Sequence, residues 1–167
     1  MKQLIDFIFL PILLILLQVL VLNQMHIGWY ATPFLYVWLI LRLPNELSRG
    51  WLITLGFLCG FCVDLFCNTP GMHSFALATL AFLKAPILYL YVGREDFKTG
   101  VCTIRTMGIA LYLRFMITAT LAFVTMLYVV ESFSFFASRI LFMKILMSTL
   151  TTSLLIFGIE SLKPKSR

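Results

Sequence analysis

Charge is what this chain has least of. Only 12% of its 167 residues are Asp, Glu, Lys or Arg, and just seven of these are acidic, against about a quarter charged in a soluble domain. Glycine (nine) and proline (six) are too few for a collagen-like or low-complexity chain, and four cysteines are too few for a disulfide-stapled scaffold. Two histidines leave little for a metal centre. No Ser-His-Asp set, HExxH, Walker or GxGxxG pattern is present, so hydrolase, zinc-protease and nucleotide-binding chemistry have no motif to rest on. No internal repeat is evident.

Apolar residues fill the space. They make up 61% of the chain, with sixteen Phe and a mean hydropathy of +1.00. A chain this short cannot hide that much apolar surface from water, which implies an integral membrane protein. A span needs roughly 20 apolar residues, ~17 at the least. Six segments qualify: about 4–22, 27–43, 51–66, 74–92, 107–130 and 140–159. The first, with Lys2 ahead of it and no small-x-small site before Asn23, reads as an uncleaved anchor. The second is the weakest. Thr32-Pro33 has the form of an N-cap followed by Pro at the first helical position, and Pro44 ends the run. A start at Ile27 reaches seventeen residues, with Trp29 and Tyr30 at headgroup level. The expected fold is an all-α, single-domain bundle of six transmembrane helices, or five if this segment fails to cross.

The net charge of +6 then becomes a statement about sidedness rather than about nucleic acid. Six spans put Lys2, Arg42, Arg49, Arg94, Lys98, Arg105, Lys163, Lys165 and Arg167 on one face and Arg139 on the other. The positive-inside rule assigns both termini to the cytoplasm, where the basic residues meet anionic membrane lipid. With five spans only Lys2 changes side.

Four charges lie deep within the spans. Asp64 lies four residues beyond Gly60 and eight beyond Gly56, so the three share one helical stripe. Small residues on such a stripe let another backbone approach closely, and the carboxylate is thereby aimed into the bundle. Its structural reading is a carboxylate that caps the Asn68-Thr69-Pro70-Gly71 turn or pairs with a base, Lys144 across helices three and six being the candidate with His73 nearby; its functional reading is a proton relay or ligand contact. Lys84 and Arg114 either snorkel to the headgroups or meet an anionic group in a cleft, Glu160 being the one carboxylate near Arg114's depth. Cys59-x-x-Cys62, within an apolar helix, reads as small filler rather than a redox pair. Ser148-Thr149-Leu150-Thr151-Thr152-Ser153 either lines a cavity or bonds its own helix carbonyls.

The run Gly56-Phe-Leu-Cys-Gly60-Phe-Cys-Val-Asp64-Leu-Phe-Cys-Asn68-Thr69-Pro70-Gly71-Met-His73 resembles the third-to-fourth helix signature of the rod shape-determining MreD family. Tyr30-Ala31-Thr32-Pro33-Phe34-Leu35-Tyr36 is similar to its Bacteroidetes members. The likeness covers about residues 29–92, and beyond them only hydropathy agrees. It implies a non-enzymatic inner-membrane subunit, without cofactor, of the cell-elongation machinery that builds peptidoglycan. Its partners would be MreC, the MreB filament, a RodA-type glycosyltransferase and a class B penicillin-binding transpeptidase. It also implies a bundle similar to the substrate-binding subunits of energy-coupling-factor transporters, with Asp64 and the Asn68–His73 turn near an outer mouth. No catalytic residue carries over. The alternative is a substrate-binding subunit of a small-molecule uptake transporter. A quinone-linked thiol oxidoreductase is discounted, because it needs cysteine pairs in extracytoplasmic loops.

Overall fold

The structure, a computed structural model, describes residues 11, 13–22, 32–93, 100–132 and 138–162. Several expectations lie outside these residues: the start of the first span, the 27–31 part of the second with Trp29 and Tyr30, and the basic residues Lys2, Arg94, Lys98, Lys163, Lys165 and Arg167. Among the described residues every regular element is helical.

Residues 13–22 form α1, whose last turn, Gln18–Leu22, is π-helical. Then come α2 (Val37–Arg42), α3 (Arg49–Cys67), α4 (Met72–Tyr89), α5 (Ile104–Met107), α6 (Ile109–Glu131) and α7 (Ser138–Leu162). Four of them, α3, α4, α6 and α7, are long and apolar enough to cross a membrane. They pack in a row: α4 lies against both α3 and α6, and α7 lies against α6.

Local chemistry sets the ends. Ser48 accepts the Trp51 N–H to start α3, and Asn68 closes it at φ 55°, ψ 39°. Asn tolerates this left-handed conformation better than most residues. Gly71, at φ 81°, turns the chain into α4. The helix over the expected fifth span, 107–130, is α6, which starts at Ile109. Thr103 and Thr106 form a capping box for the short α5. Gly108, at φ 81° and ψ 159°, then breaks the helix before α6, in a region that glycine alone enters readily. Tyr112, Phe115, Met116, Ala119, Phe123 and Val124 recur at helical spacing on the buried face of α6.

The second segment departs furthest from its sequence pattern. In place of a helix begun at Pro33, helical winding starts at Val37 and covers six residues, about 9 Å of rise. Its first bonds are tight i→i−3 contacts, Trp38 N–H to Leu35 C=O and Leu39 N–H to Tyr36 C=O, both 3.1 Å. Leu43, held extended ahead of Pro44, ends it. Among the described residues this short piece is the most enclosed. Phe34 to Leu41 are all 0–7% exposed, wrapped by α4 and α6.

Candidate functional site

Irregular backbone in an apolar setting must find its hydrogen bonds within the protein, because nothing around it can supply them. Residues 32–36 do so through side chains from remote helices. The Gln18 amide is bidentate: its Nε2 donates to the Pro33 carbonyl at 2.8 Å, and its Oε1 accepts the Leu35 N–H at 2.9 Å. Thr152 Oγ1 accepts the Phe34 N–H at 3.0 Å, and Ser148 Oγ accepts the Thr32 N–H at 3.2 Å. Tyr128 ties the rim together, its hydroxyl 2.7 Å from Thr32 Oγ1 and 2.9 Å from Ser148 Oγ. Gln18, Ser148 and Thr152 are fully buried. One of these bonds explains why the helix does not begin at Pro33: Gln18 holds the Pro33 carbonyl that such a helix would give to the Val37 N–H, and Val37 bonds the Phe34 carbonyl instead.

Beneath this cradle lies an aromatic box. Phe34 meets Phe123 and Tyr128 edge-on, with centroids 5.7 and 6.2 Å away. Tyr36 stands perpendicular to His73 and to Phe123 at 5.8 and 5.6 Å, in the edge-to-face arrangement that the ring quadrupoles favour. The Tyr36 hydroxyl is 2.6 Å from His73 Nδ1.

His73 leads to the Asp64 turn. Asp64 Oδ1 accepts from Thr69 Oγ1 at 3.0 Å and from the His73 N–H at 2.9 Å. Oδ2 accepts the Ser74 N–H at 2.9 Å and the Ser74 hydroxyl at 2.5 Å. One carboxylate thus caps the start of α4 and fastens it to the end of α3. The close approach depends on the glycines. A Cβ on Gly60 would lie 2.5 Å from His73 O and Ser74 Cα, and one on Gly56 would lie 2.9 Å from Leu77 O. Gly56, Gly60, Asp64, Asn68, Thr69, Gly71 and His73 therefore form one working unit, the seam between α3 and α4. Gly71 turns the chain, and Pro70 lies within the same turn.

The expected alternative for Asp64, a pair with Lys144, is not formed. The carboxylate is directed at its own turn, whereas the Lys144 ammonium lies 5.8 Å from the centre of the Tyr128 ring on the α6–α7 side. Nor does Lys84 snorkel. It is 1% exposed, and its Nζ donates to the Leu43 carbonyl, placing a cation at the C-terminal end of α2, where the helix dipole favours it. Arg114 is exposed, near enough to the start of α6 for its stem to reach headgroups. Glu160 accepts from the Trp38 indole at 3.0 Å, and the Arg42 guanidinium stacks on the same indole at 5.1 Å. The two polar clusters, Gln18–Ser148–Thr152 above and Lys84 below, hold the short helix at both ends.

All four cysteines are free thiols, and among the described residues no three His, Cys, Asp or Glu side chains gather as metal ligands. In the 148–153 stretch the two readings divide by residue. Thr151 bonds the Met147 carbonyl of its own helix at 2.8 Å, while Ser148 and Thr152 serve the turn. Thr149 Oγ1 and Ser153 Oγ are buried with no hydrogen-bond partner among the described residues. Gln18, Tyr36 and Tyr128 were not singled out from sequence as site residues. The available signal was an amide within an apolar run and hydroxyls beside a Thr-Pro. No family model matches this chain, and no curated protein or solved structure matches it either.

Proposed function

We propose that this chain is a non-enzymatic scaffold subunit of the bacterial inner membrane, of the rod shape-determining MreD type. In this reading, residues 4–22 and the partly helical segment 27–43 complete a bundle of six spans with cytoplasmic termini, related in fold to energy-coupling-factor substrate-binding subunits. The bundle holds the cell-elongation complex together: MreC, the MreB filament, a RodA-type glycosyltransferase and a class B penicillin-binding transpeptidase.

One observation carries the preference for a scaffold. The centre of the bundle is filled by the chain's own turn, and Gln18, Ser148, Thr152 and Tyr128 spend their hydrogen bonds on it. A ligand-binding subunit keeps convergent polar groups for its ligand. Here the surface is left to apolar helix faces such as Phe57 and Phe61 on α3 and Leu150 and Leu154 on α7. The test is affinity purification in mild detergent from cells making the chain at native level. Co-purification of an MreC-like or wall-synthesis protein is expected; recovery of the chain alone refutes the scaffold.

The second reading, a small-molecule uptake subunit, draws on the two partnerless hydroxyls Thr149 Oγ1 and Ser153 Oγ. It requires a small molecule retained through purification. Native mass spectrometry decides it: a stoichiometric adduct lost in Thr149→Val/Ser153→Ala supports uptake, and a bare mass removes it.

A further inference from the structure

α3 and α7 bury the least of the four long helices, and their outer faces differ in chemistry. α3 presents Phe57, Phe61, Leu65 and Phe66, while its carboxylate is turned inward. Such a face suits acyl chains. On α7, Ile140, Lys144, Met147, Thr151, Leu154 and Gly158 follow one another at intervals of four, three, four, three and four residues. That alternation is the seam of a helix pair. Ile140, Met147 and Leu154 are 50, 47 and 63% exposed, and a Cβ on Gly158 would meet nothing within 4 Å. Lys144, Thr151 and Gly158 are half-buried, Lys144 against Tyr128 of α6.

Lys144 gives the seam its chemistry. It lies six residues into α7, about 9 Å from the helix start. Its ammonium rests over Tyr128, and among the described residues no carboxylate is paired with it. A second copy of this chain is a poor occupant. A parallel two-fold pair sets each residue against itself, so Lys144 would face Lys144 where little screens their repulsion. An antiparallel pair leaves both lysines uncompensated. A helix with a carboxylate at that depth relieves the charge on both sides, and Gly158 admits its backbone closely.

We propose that the Ile140–Gly158 stripe of α7 is the docking seam for one membrane-spanning helix of a different protein, which carries an Asp or Glu facing Lys144. The inference rests on the scaffold reading for the existence of a membrane partner and adds the surface and the recognition chemistry.

A photo-crosslinking residue placed at Met147, at Leu154 and, as a control, at Phe57 of the full chain in living cells tests this, with adducts sequenced by mass spectrometry. The expected result is one membrane protein captured from Met147 and Leu154 but not from Phe57, through a helix that contains Asp or Glu. Its yield should fall about tenfold or more in Lys144→Met and Lys144→Gln and persist in Lys144→Arg. The Tm in detergent of each variant must match that of the unaltered chain. The proposal is overturned if α7 captures nothing, captures only a second copy, captures a helix without a carboxylate, or captures equally well in Lys144→Met. If the captured protein has no part in wall synthesis, the seam stands and the scaffold function falls. If wall-synthesis proteins co-purify but attach through another face, the function stands and the seam falls.

Discussion

Replacing Gly60 by alanine should open the joint between α3 and α4. The added Cβ would sit 2.5 Å from His73 O and Ser74 Cα, whereas ordinary contact begins near 3.4 Å. Both obstructing atoms are backbone, so no side chain can swing aside, and the helices must part by about 0.9 Å. That retreat pulls on the bonds from the His73 and Ser74 N–H groups to Asp64, each now 2.9 Å. Stretched past about 3.5 Å they no longer count as bonds. Overpacking costs about 1–3 kcal/mol, and each hydrogen bond to a charged group contributes about 1.5–3 kcal/mol. Alanine returns about 1 kcal/mol through its helix propensity. Allowing for partial relaxation, the expected net loss is about 2–4 kcal/mol. Gly56→Ala meets the Leu77 carbonyl at 2.9 Å, a smaller intrusion, and should cost about 1 kcal/mol. Gly50, whose Cβ would touch nothing within 4 Å, is the control: its alanine variant should be neutral or more stable by up to about 1 kcal/mol. The assay is equilibrium unfolding in mixed micelles, followed by helicity and tryptophan fluorescence. The reasoning fails if Gly60→Ala lies within about 0.5 kcal/mol of the parent, the range of an uninvolved surface substitution, or if Gly50→Ala is equally damaging.

Asp64→Asn and Lys144→Met should act independently, since the two side chains lie on different seams. In a double-mutant cycle their effects should add to within about 0.5 kcal/mol, and a larger coupling would restore the ion pair. Thr152→Val strands the buried Phe34 N–H and should cost about 1–3 kcal/mol. Thr149→Val removes a hydroxyl that bonds nothing among the described residues and should be neutral or stabilising; reversal of that order in the same unfolding assay would refute the cradle. Gln18→Leu orphans both Leu35 N–H and Pro33 C=O. It should exceed Thr152→Val, by about 1–3 kcal/mol for the second lost group, and should accelerate hydrogen exchange at residue 35. Lys84→Met leaves the Leu43 carbonyl without its buried donor and should cost about 1.5–3 kcal/mol, whereas Arg114→Met, on an exposed site, should stay within about 0.5 kcal/mol.

Much of this protein is readable in one dimension because membrane insertion is itself a local criterion. A stretch such as 51–66 is apolar for long enough or it is not, and Gly56, Gly60 and Asp64 share a stripe because four residues make about one helical turn. The turn at Asn68 and Gly71 is equally local: those residue types accept a positive φ. By itself, then, the sequence determined an apolar, helical chain, with its long helices where the hydropathy runs and a glycine-lined face leading to a buried carboxylate.

What the tertiary structure alone decided is who answers whom. Thr32-Pro33 carries the local signature of a helix start, yet Gln18, 15 residues away, takes the Pro33 C=O that the Val37 N–H would need. A hydrogen bond in an apolar interior outweighs a propensity of a few tenths of a kcal/mol, so the helix waits until Val37. Asp64 and Lys144 look like partners on a list of buried charges. Only the packing of α3 on α4, and of α7 on α6, shows that the carboxylate is consumed by its own turn while the ammonium rests against Tyr128. Propensity acts between neighbours in the chain; desolvation, which sets the cost of every unpaired group here, acts between neighbours in space.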